Sequence, residues 1–349
     1  MDLGKYHKKA TRIIARHQAF RDNRSNLEVL YRMCLDHISP VTEPLVLISQ
    51  IQRSGGSLLS QLFDGHPEIH AHPHELKIGH PKKYMWPQID LNETAERWFD
   101  LLFEEGVKRL SKNGYKKEPT SDITFPFIFL PELQKKIFLK YLDSIPSLSL
   151  REIFNAYMTS YFGAWLNNQN SHGCKKCVTA FTPRLAMSQA NMESFFRIYP
   201  DARLISVVRD PRNWYPSAVR HNLKIKRDKY SDIRVALLQW KESTLSAIWN
   251  KERFSERVCI IKFEDLIGDP ASVMRYLAEL LDIEFDPILL TPTFNKFPIK
   301  ANTSFTEETT GIVKSTLARH ETLSASEISI IVEMTQEAYQ RVLDEAVVF

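Results

Sequence analysis

Cysteine is scarce in this sequence, with four residues among 349, and the fold therefore does not rest on a disulfide scaffold. No apolar run approaches the roughly eighteen residues that a membrane-spanning helix needs, and no secretory leader is visible. The net charge of +4 is too small to indicate nucleic-acid binding. With 43% hydrophobic and 25% charged residues, the composition is that of an ordinary soluble protein. The chain is expected to be either a cytoplasmic protein or a truncated lumenal domain, and the start at Met1 favours the first.

The first informative motif is an apolar run that ends in a cation, two glycines and a serine. Leu45 to Ile48 predicts a buried strand, and an apolar helical pattern begins at Leu58. Glycines let the backbone approach an anion closely, and the first N–H groups of a helix point at that anion with the positive end of the helix dipole behind them. The predicted phosphate-binding residues are Arg53, Ser54, Gly55, Gly56, Ser57 and Leu58.

This loop lacks the Walker pattern of ATP and GTP hydrolases, which is G-x-x-x-x-G-K-[ST]. No glycine lies five residues before Gly55 or Gly56, no lysine follows them, and the cation precedes the glycines. A nucleotide kinase of the P-loop type is therefore kept only as an alternative.

A second apolar run ends in an arginine further along the chain. Leu204 to Val208 predicts a strand of a parallel sheet that is buried on both faces. Arg209 follows at the carboxyl end of this strand, where open α/β sheets bind ligands, and Ser217 comes eight residues later. An arginine and a hydroxyl can hold a second phosphate together, although Arg209 can also form a local ion pair with Asp210.

Together, the two segments resemble the sulfotransferases that use 3′-phosphoadenosine 5′-phosphosulfate (PAPS). In that family, an Arg/Lys-Ser-Gly-Thr-Thr loop binds the 5′-phosphosulfate, and a later Arg-Asp-Pro-Arg strand end with a serine binds the 3′-phosphate. The resemblance covers about residues 44–80 and 178–320 and favours the bacterial and tyrosylprotein-type branch. Shorter matches occur in the family's order at His66–Glu68, Thr182–Arg184, Tyr199–Ala202, Phe263–Leu266 and Asn302–Phe305.

Two positions depart from the family pattern. Gly56 stands where the first threonine of the loop is expected, whereas Ser57 keeps the second hydroxyl. Phe181 stands where relatives often carry a lysine, just before Thr182. These departures leave a nucleotide-binding pseudoenzyme as a second, non-enzymatic alternative.

The resemblance implies that a sulfuryl group moves from PAPS to a hydroxyl or amine of an acceptor by in-line displacement. Arg53 would stabilise the leaving phosphate, because positioning and charge stabilisation dominate the analogous phosphoryl transfers. A carbohydrate, a tyrosyl peptide, a lipid and a small alcohol all remain open as the acceptor. The resemblance implies no metal ion and allows a homodimer.

The catalytic base is expected in the segment from His70 to Leu76. In the tyrosylprotein-type branch, a glutamate downstream of the loop cation takes the acceptor proton, and an ungapped comparison places His74 there with Glu75 adjacent. Alternation along an extended segment points these two side chains in opposite directions. We predict Glu75 as the base and keep His74 as the alternative, since an unperturbed imidazole titrates near neutral pH. Five histidines between His66 and His80 lack the regular spacing of a metal site.

These observations predict one α/β domain with a P-loop-like three-layer fold, in which helices flank a central parallel β-sheet. Residues 1–43 predict a helical N-terminal extension, and residues 81–176 predict a mostly helical insertion over the acceptor site. The resemblance adds Gly311 and Lys314 as cosubstrate contacts, because family members close a C-terminal loop over the nucleotide.

Overall fold

A computed structural model describes residues 3–77, 85–227, 229–300 and 311–349, with the backbone alone for residues 3–17, 19 and 20. The predicted match at Asn302–Phe305 and the histidine at position 80 therefore lie outside the described residues. The chain divides into two compact units, of which one comprises Met1–Val41 with Leu130–Leu166 and the other comprises Thr42–Phe129 with Asn167–Phe349. The prediction of one domain with an extension and an insertion stays a prediction.

The first unit is helical, and its helices are α1 (Leu3–Asp36), α5 (Pro131–Asp143) and α6 (Leu150–Ala164). Ser149 caps α6, because its hydroxyl accepts a hydrogen bond from the Glu152 N–H. Among the described residues, no helix combines the length and the apolar character that crossing a membrane requires.

The second unit contains a five-stranded parallel sheet in the order β2-β5-β1-β6-β7. Its strands are β1 (Leu45–Ile48), β2 (Ile69–Glu75), β5 (Cys177–Phe181), β6 (Arg203–Val208) and β7 (Val258–Lys262). Two antiparallel hairpins are formed by β3 (Tyr115–Lys117) with β4 (Thr124–Phe125), and by β8 (Thr293–Phe294) with β9 (Phe297–Pro298). Both strands predicted from apolar runs are present, and the predicted parallel sheet is confirmed.

Helices cover both faces of this sheet, because alternate residues of its buried strands point to opposite sides. On one face, α2 (Gly56–Phe63), α10 (Phe263–Gly268) and α11 (Pro270–Leu280) pack against Ile48, Ile205 and Ile261. On the other face, α8 (Pro211–Lys224), α9 (Ile233–Phe254) and α12 (Ala325–Glu345) pack against Val208 and Ile260. The remaining α-helices of the unit are α3 (Ala95–Leu102), α4 (Gly106–Asn113) and α7 (Gln189–Ile198). The predicted three-layer architecture is confirmed.

The strand order places a crevice between β1 and β6. The chain leaves β1 towards β2 on one side of the sheet and leaves β6 towards β7 on the other side. Ligands of open α/β sheets bind outside the carboxyl ends of the strands at such a switch point. Both predicted phosphate-binding segments follow these two strands.

Candidate active site

The loop after β1 is held in a conformation that few residues adopt. Arg53 has a φ of 71° and Gly55 a φ of 105°, so both lie in the left-handed region. A Cβ on Gly55 would lie 2.5 Å from the Phe263 ring, and glycine is therefore required both for conformation and for space. Because α2 begins directly after Gly55, its first N–H groups have no helical partner and face the space beyond the strand ends.

Two tryptophans anchor the loop and the end of β6 to the rest of the unit. The Trp214 indole donates a hydrogen bond to the Gln52 carbonyl at 2.9 Å, and the Trp240 indole donates one to the Arg209 carbonyl at 3.0 Å. Both rings are buried. The two segments that are predicted to bind phosphate are thus held in place by buried, packed side chains.

Arg209 links the β1 loop to the C-terminal segment. Its Nη1 donates to the Arg53 carbonyl at 3.1 Å and its Nη2 donates to the Thr316 carbonyl at 2.7 Å. The side chain is 3% exposed and its guanidinium carbon lies 4.4 Å from the centre of the Phe263 ring. Burial lowers the pKa of Arg209, and Glu264 offsets this only in part. Its buried Nε has no hydrogen-bond partner within the part of the chain that the structure describes.

A cavity of about 220 Å³, here called the loop cavity, lies where these groups meet. Burial also lowers the pKa of Arg53, whose Nε donates to the Ser217 hydroxyl at 3.4 Å. Of the predicted residues, those that line the loop cavity are Arg53, Gly55, Gly56, Ser57, Leu58, Glu75, Arg209, Ser217 and Gly311. Ser54 is buried beneath the loop and Lys314 is exposed, and neither belongs to this lining.

A second cavity of about 590 Å³, here called the side cavity, adjoins the first. It is formed by the first turns of α2, by the ends of β2 and β5, by α4 with the turn before it, and by β3. The two linings share Ser57, Gln61, Glu75 and Phe181. A group bound in the side cavity therefore reaches the contents of the loop cavity past Glu75 and Ser57.

The two candidate bases have different surroundings. The Glu75 carboxylate is 39% exposed, lines both cavities and lies 3.2 Å from the Lys77 ammonium. The His74 ring lines the side cavity, and its Nδ1 hydrogen-bonds the Glu75 carbonyl at 2.9 Å. Burial lowers the pKa of His74 to about 4. Position favours Glu75, because its carboxylate lines both cavities, whereas His74 lines the side cavity alone.

Glu104, which lies just before α4, forms a buried cluster with His72 and His74. The shortest approaches are 3.4 Å from His72 Nε2 to Glu104 Oε1 and 3.8 Å from His74 Nδ1 to Glu104 Oε2. Glu104 also accepts a hydrogen bond from the Lys77 N–H at 2.8 Å, which fixes the chain at the end of β2. This cluster is the set of side chains that could hold a metal ion among the described residues. The expected absence of a metal stays a prediction.

The two departures from the family pattern occupy the same space. Phe181 is paired with Ile48 across β5 and β1, which brings its ring over the start of α2. A Cβ on Gly56 would collide with the Gln50 amide and with the Phe181 ring, whose Cδ2 would lie 2.9 Å away. A threonine therefore does not fit at position 56 while phenylalanine stands at position 181.

This shared space predicts a non-additive pair of substitutions. We expect Gly56→Ala to lower the free energy of unfolding by about 1–3 kcal/mol, because the added methyl group overpacks the site. In combination with Phe181→Leu, the loss should be smaller than the sum of the single losses by about 1 kcal/mol, because the smaller side chain makes room. Urea unfolding of the four proteins measures this coupling.

Gly268→Ala is the matched control, since a Cβ at that helical glycine meets nothing within 4 Å. Its free energy of unfolding should change by no more than about 0.5 kcal/mol. Simple additivity of the Gly56 and Phe181 substitutions would show that the two residues do not compete for space.

Several residues of the site carry no signal in the sequence. Thr316 and Arg319 line the loop cavity from a 3₁₀ segment at Lys314–Thr322. Lys116 and Arg109 line the side cavity from a region without family motifs. Arg184 has a φ of 68° and donates a hydrogen bond to the Gln52 side chain at 2.5 Å. The Thr182–Arg184 motif belongs to the family resemblance, but nothing in the sequence indicates that Arg184 supports the β1 loop.

The fold and the site define an α/β protein in which a glycine-containing loop at a helix N-terminus faces a buried arginine at a topological switch point. The model of the sulfotransferase family matches residues 44–287, and the chain belongs to this family, as predicted. Protein-tyrosine sulfotransferase A of Caenorhabditis elegans is 20% identical over 250 residues, which are 71% of this chain and 52% of that protein. The chain thus spans about half the length of this curated relative.

Solved structures of sulfotransferases are also similar to this chain. The sulfotransferase domain from the curacin biosynthetic pathway is 18% identical, with a TM-score of 0.47, over 85% of this chain and 99% of that one. The sulfotransferase domain of the Synechococcus PCC 7002 olefin synthase is 17% identical, with a TM-score of 0.46, over 90% of this chain and 98% of that one.

Proposed function

We propose that the protein transfers a sulfuryl group from PAPS to a hydroxyl or amine of an acceptor. The observation that carries this proposal is the convergence of Arg53 and Arg209, from two adjacent strand ends, on one cavity at the start of α2. Family membership supplies the reaction class, and the side cavity supplies a place for the acceptor.

The residues of the loop cavity fit a ligand with two phosphate groups. Arg209 has a buried Nε without a hydrogen-bond partner in the described chain, and burial disfavours the charge of both arginines. A bound anion compensates the two guanidinium groups for the hydration that they lose on burial, and a guanidinium can bind a phosphate through two parallel hydrogen bonds. Arg53 and the N–H groups at the start of α2 would hold the 5′-phosphosulfate, and Arg209 with Ser217 the 3′-phosphate.

PAPS supplies the activated sulfuryl group when it is bound. The chain supplies the base and the orientation. The Glu75 carboxylate, at the junction of the cavities, would accept the proton of the acceptor hydroxyl, while Ser57 would donate a hydrogen bond from its hydroxyl at the same junction. Lys77 contacts the Glu75 carboxylate at 3.2 Å and helps to orient it. Arg53 would stabilise the negative charge that develops on the leaving group, which is the largest expected term in such reactions.

A binding and turnover experiment tests this function. We expect the purified protein to bind 3′-phosphoadenosine 5′-phosphate (PAP), the product nucleotide, in a calorimetric titration without added metal. With labelled PAPS and an extract of the source organism, label should appear in a product whose mass identifies a carbohydrate, a tyrosyl peptide, a lipid or a small alcohol.

The other outcomes separate the alternatives. Failure to bind PAP together with magnesium-dependent ATP binding would replace the proposal with a nucleotide kinase. PAP binding without label in any product would favour a pseudoenzyme. The cytoplasmic location and the homodimer also stay predictions.

A further inference from the structure

Some of the charged side chains that line the side cavity have an ion-pair partner and others do not. Each carboxylate there has a partner: Glu75 contacts Lys77 at 3.2 Å, Glu105 contacts Lys108 at 2.9 Å and Glu104 lies 3.4 Å from His72. Two cations of the lining, Lys116 and Arg109, form no ion pair with any described residue. Lys116 and Arg109 are therefore the cations of this lining that have no ion-pair partner among the described residues.

The backbone at Lys116 directs this charge into the cavity at an energetic cost. Lys116 has a φ of 60°, a left-handed conformation that a residue with a long side chain rarely adopts. The pairing of β3 with β4 shifts register between Tyr115 and Lys117, so Lys116 lies in a bulge. Bulges re-aim side chains and are frequent beside active sites, and a strained residue of this kind costs about 1–3 kcal/mol.

The Lys116 ammonium is also partly removed from water. Its nitrogen lies 4.8 Å from the centre of the Tyr115 ring, and the side chain is half-buried. Burial lowers the pKa of Lys116 to about 8, and Glu75 offsets only part of this effect. A desolvated cation without a counter-ion gains more from binding an anion than a solvated one does.

We propose that Lys116, together with Arg109 of the same lining, binds an oxyanion of the acceptor, so that the acceptor carries a carboxylate, sulfate or phosphate group near the hydroxyl or amine that is modified. A volume of about 590 Å³ suits a small molecule or the side chains of a peptide. The identity of the bound molecule as an acceptor rests on the proposed function, whereas the oxyanion site itself does not.

The anion site is tested without cosubstrate by competitive labelling. Acetic anhydride is added to the whole protein in sodium sulfate or in sodium chloride at equal ionic strength, and the acetylation of each lysine is measured from fragment ions by mass spectrometry, which separates Lys116 from its neighbour Lys117. We expect sulfate to slow the acetylation of Lys116 at least about threefold and to leave Lys117 unchanged. Lys117 is the internal control, since it is paired with Asp122 at 2.7 Å and is not part of the lining. Equal acetylation of Lys116 in both salts would overturn the proposal.

A purely structural role of Lys116 is separated by substitution. Lys116→Gly relieves the left-handed strain, so the free energy of unfolding of this variant should not fall. If Lys116 were needed to stabilise the hairpin, the same substitution would lower the free energy of unfolding. With the labelled product mixture as readout, Lys116→Gly and Lys116→Met should lower kcat/KM for the acceptor at least about tenfold, the loss expected for a hydrogen bond to a charged group. Lys116→Arg should retain most of this activity, and Lys117→Met should match the parent.

Binding of PAP distinguishes a failure of this inference from a failure of the proposed function. All Lys116 variants should bind PAP as the parent does, because Lys116 does not line the loop cavity. Unchanged acceptor kinetics in Lys116→Met, with PAP binding intact, would overturn the inference and leave sulfuryl transfer standing.

Discussion

Replacement of Arg209 by methionine is expected to weaken the binding of PAP by about a hundredfold or more. The guanidinium is 3% exposed and already donates to the Arg53 and Thr316 carbonyls, so a phosphate would meet a fixed and desolvated donor. Truncation of one partner of a buried, hydrogen-bonded charge pair costs about 2–5 kcal/mol, and each 1.4 kcal/mol is a factor of ten. Calorimetric titration with PAP measures the loss.

Arg212→Met is the matched control for this experiment. Arg212 lies three residues along the same turn but its guanidinium is 48% exposed and paired with Asp210, outside the loop cavity. Its substitution should change PAP affinity less than about threefold, since exposed ion pairs contribute little. If both proteins are folded and the Arg209→Met protein binds PAP as tightly as the parent does, Arg209 is not part of the binding site.

The second large effect is expected from Glu75→Gln, which should lower kcat by about 10²–10⁴-fold while the affinity for PAP stays nearly the same. Glutamine keeps the shape of the side chain and loses its ability to accept a proton, and general-base catalysis contributes a factor of this size. Initial rates with labelled PAPS at saturating acceptor give kcat, and PAP titration gives the affinity.

Two further variants make the assignment of the base specific. Glu105→Gln removes another carboxylate of the side cavity that is exposed and paired with Lys108, and it should keep kcat within about threefold of the parent. His74→Ala removes the alternative base. Full activity of Glu75→Gln together with an inactive but folded His74→Ala protein would transfer the role to His74.

The sequence predicted the parts of the site that lie in contiguous motifs. Leu45–Ile48 and the run up to Val208 are buried on both faces, so each appears as an unbroken apolar segment whose end fixes the position of Arg53 or Arg209. The order of the strands in the sheet cannot be inferred from such local segments. The proximity of the two arginines could still be predicted, because both strands were expected to be parallel and the carboxyl ends of parallel strands share one edge of a sheet.

The remainder depended on geometry that has no local pattern. Lys116 reaches the side cavity through a bulge and a positive φ, and neither can be inferred from the letters around it. The pairing of Gly56 with Phe181 depends on the register of β5 against β1, which sets residues 125 positions apart in contact. Strict alternation also oversimplified His74 and Glu75, since the pairing of β2 with β5 shifts register before Glu75 and both side chains line the side cavity.

The two cavities are lined largely by different segments of the chain, and this affects how the specificity of such a protein can evolve. The loop cavity is built from the ends of β1 and β6 and from the segment after Gly311, whereas seven of the fifteen residues that line the side cavity come from the chain between Glu104 and Lys116. Insertions, deletions or recombination in that short stretch can change the surface of the side cavity and leave the residues at the ends of β1 and β6 that line the loop cavity untouched. New specificities can therefore arise in a duplicated gene without an inactive intermediate.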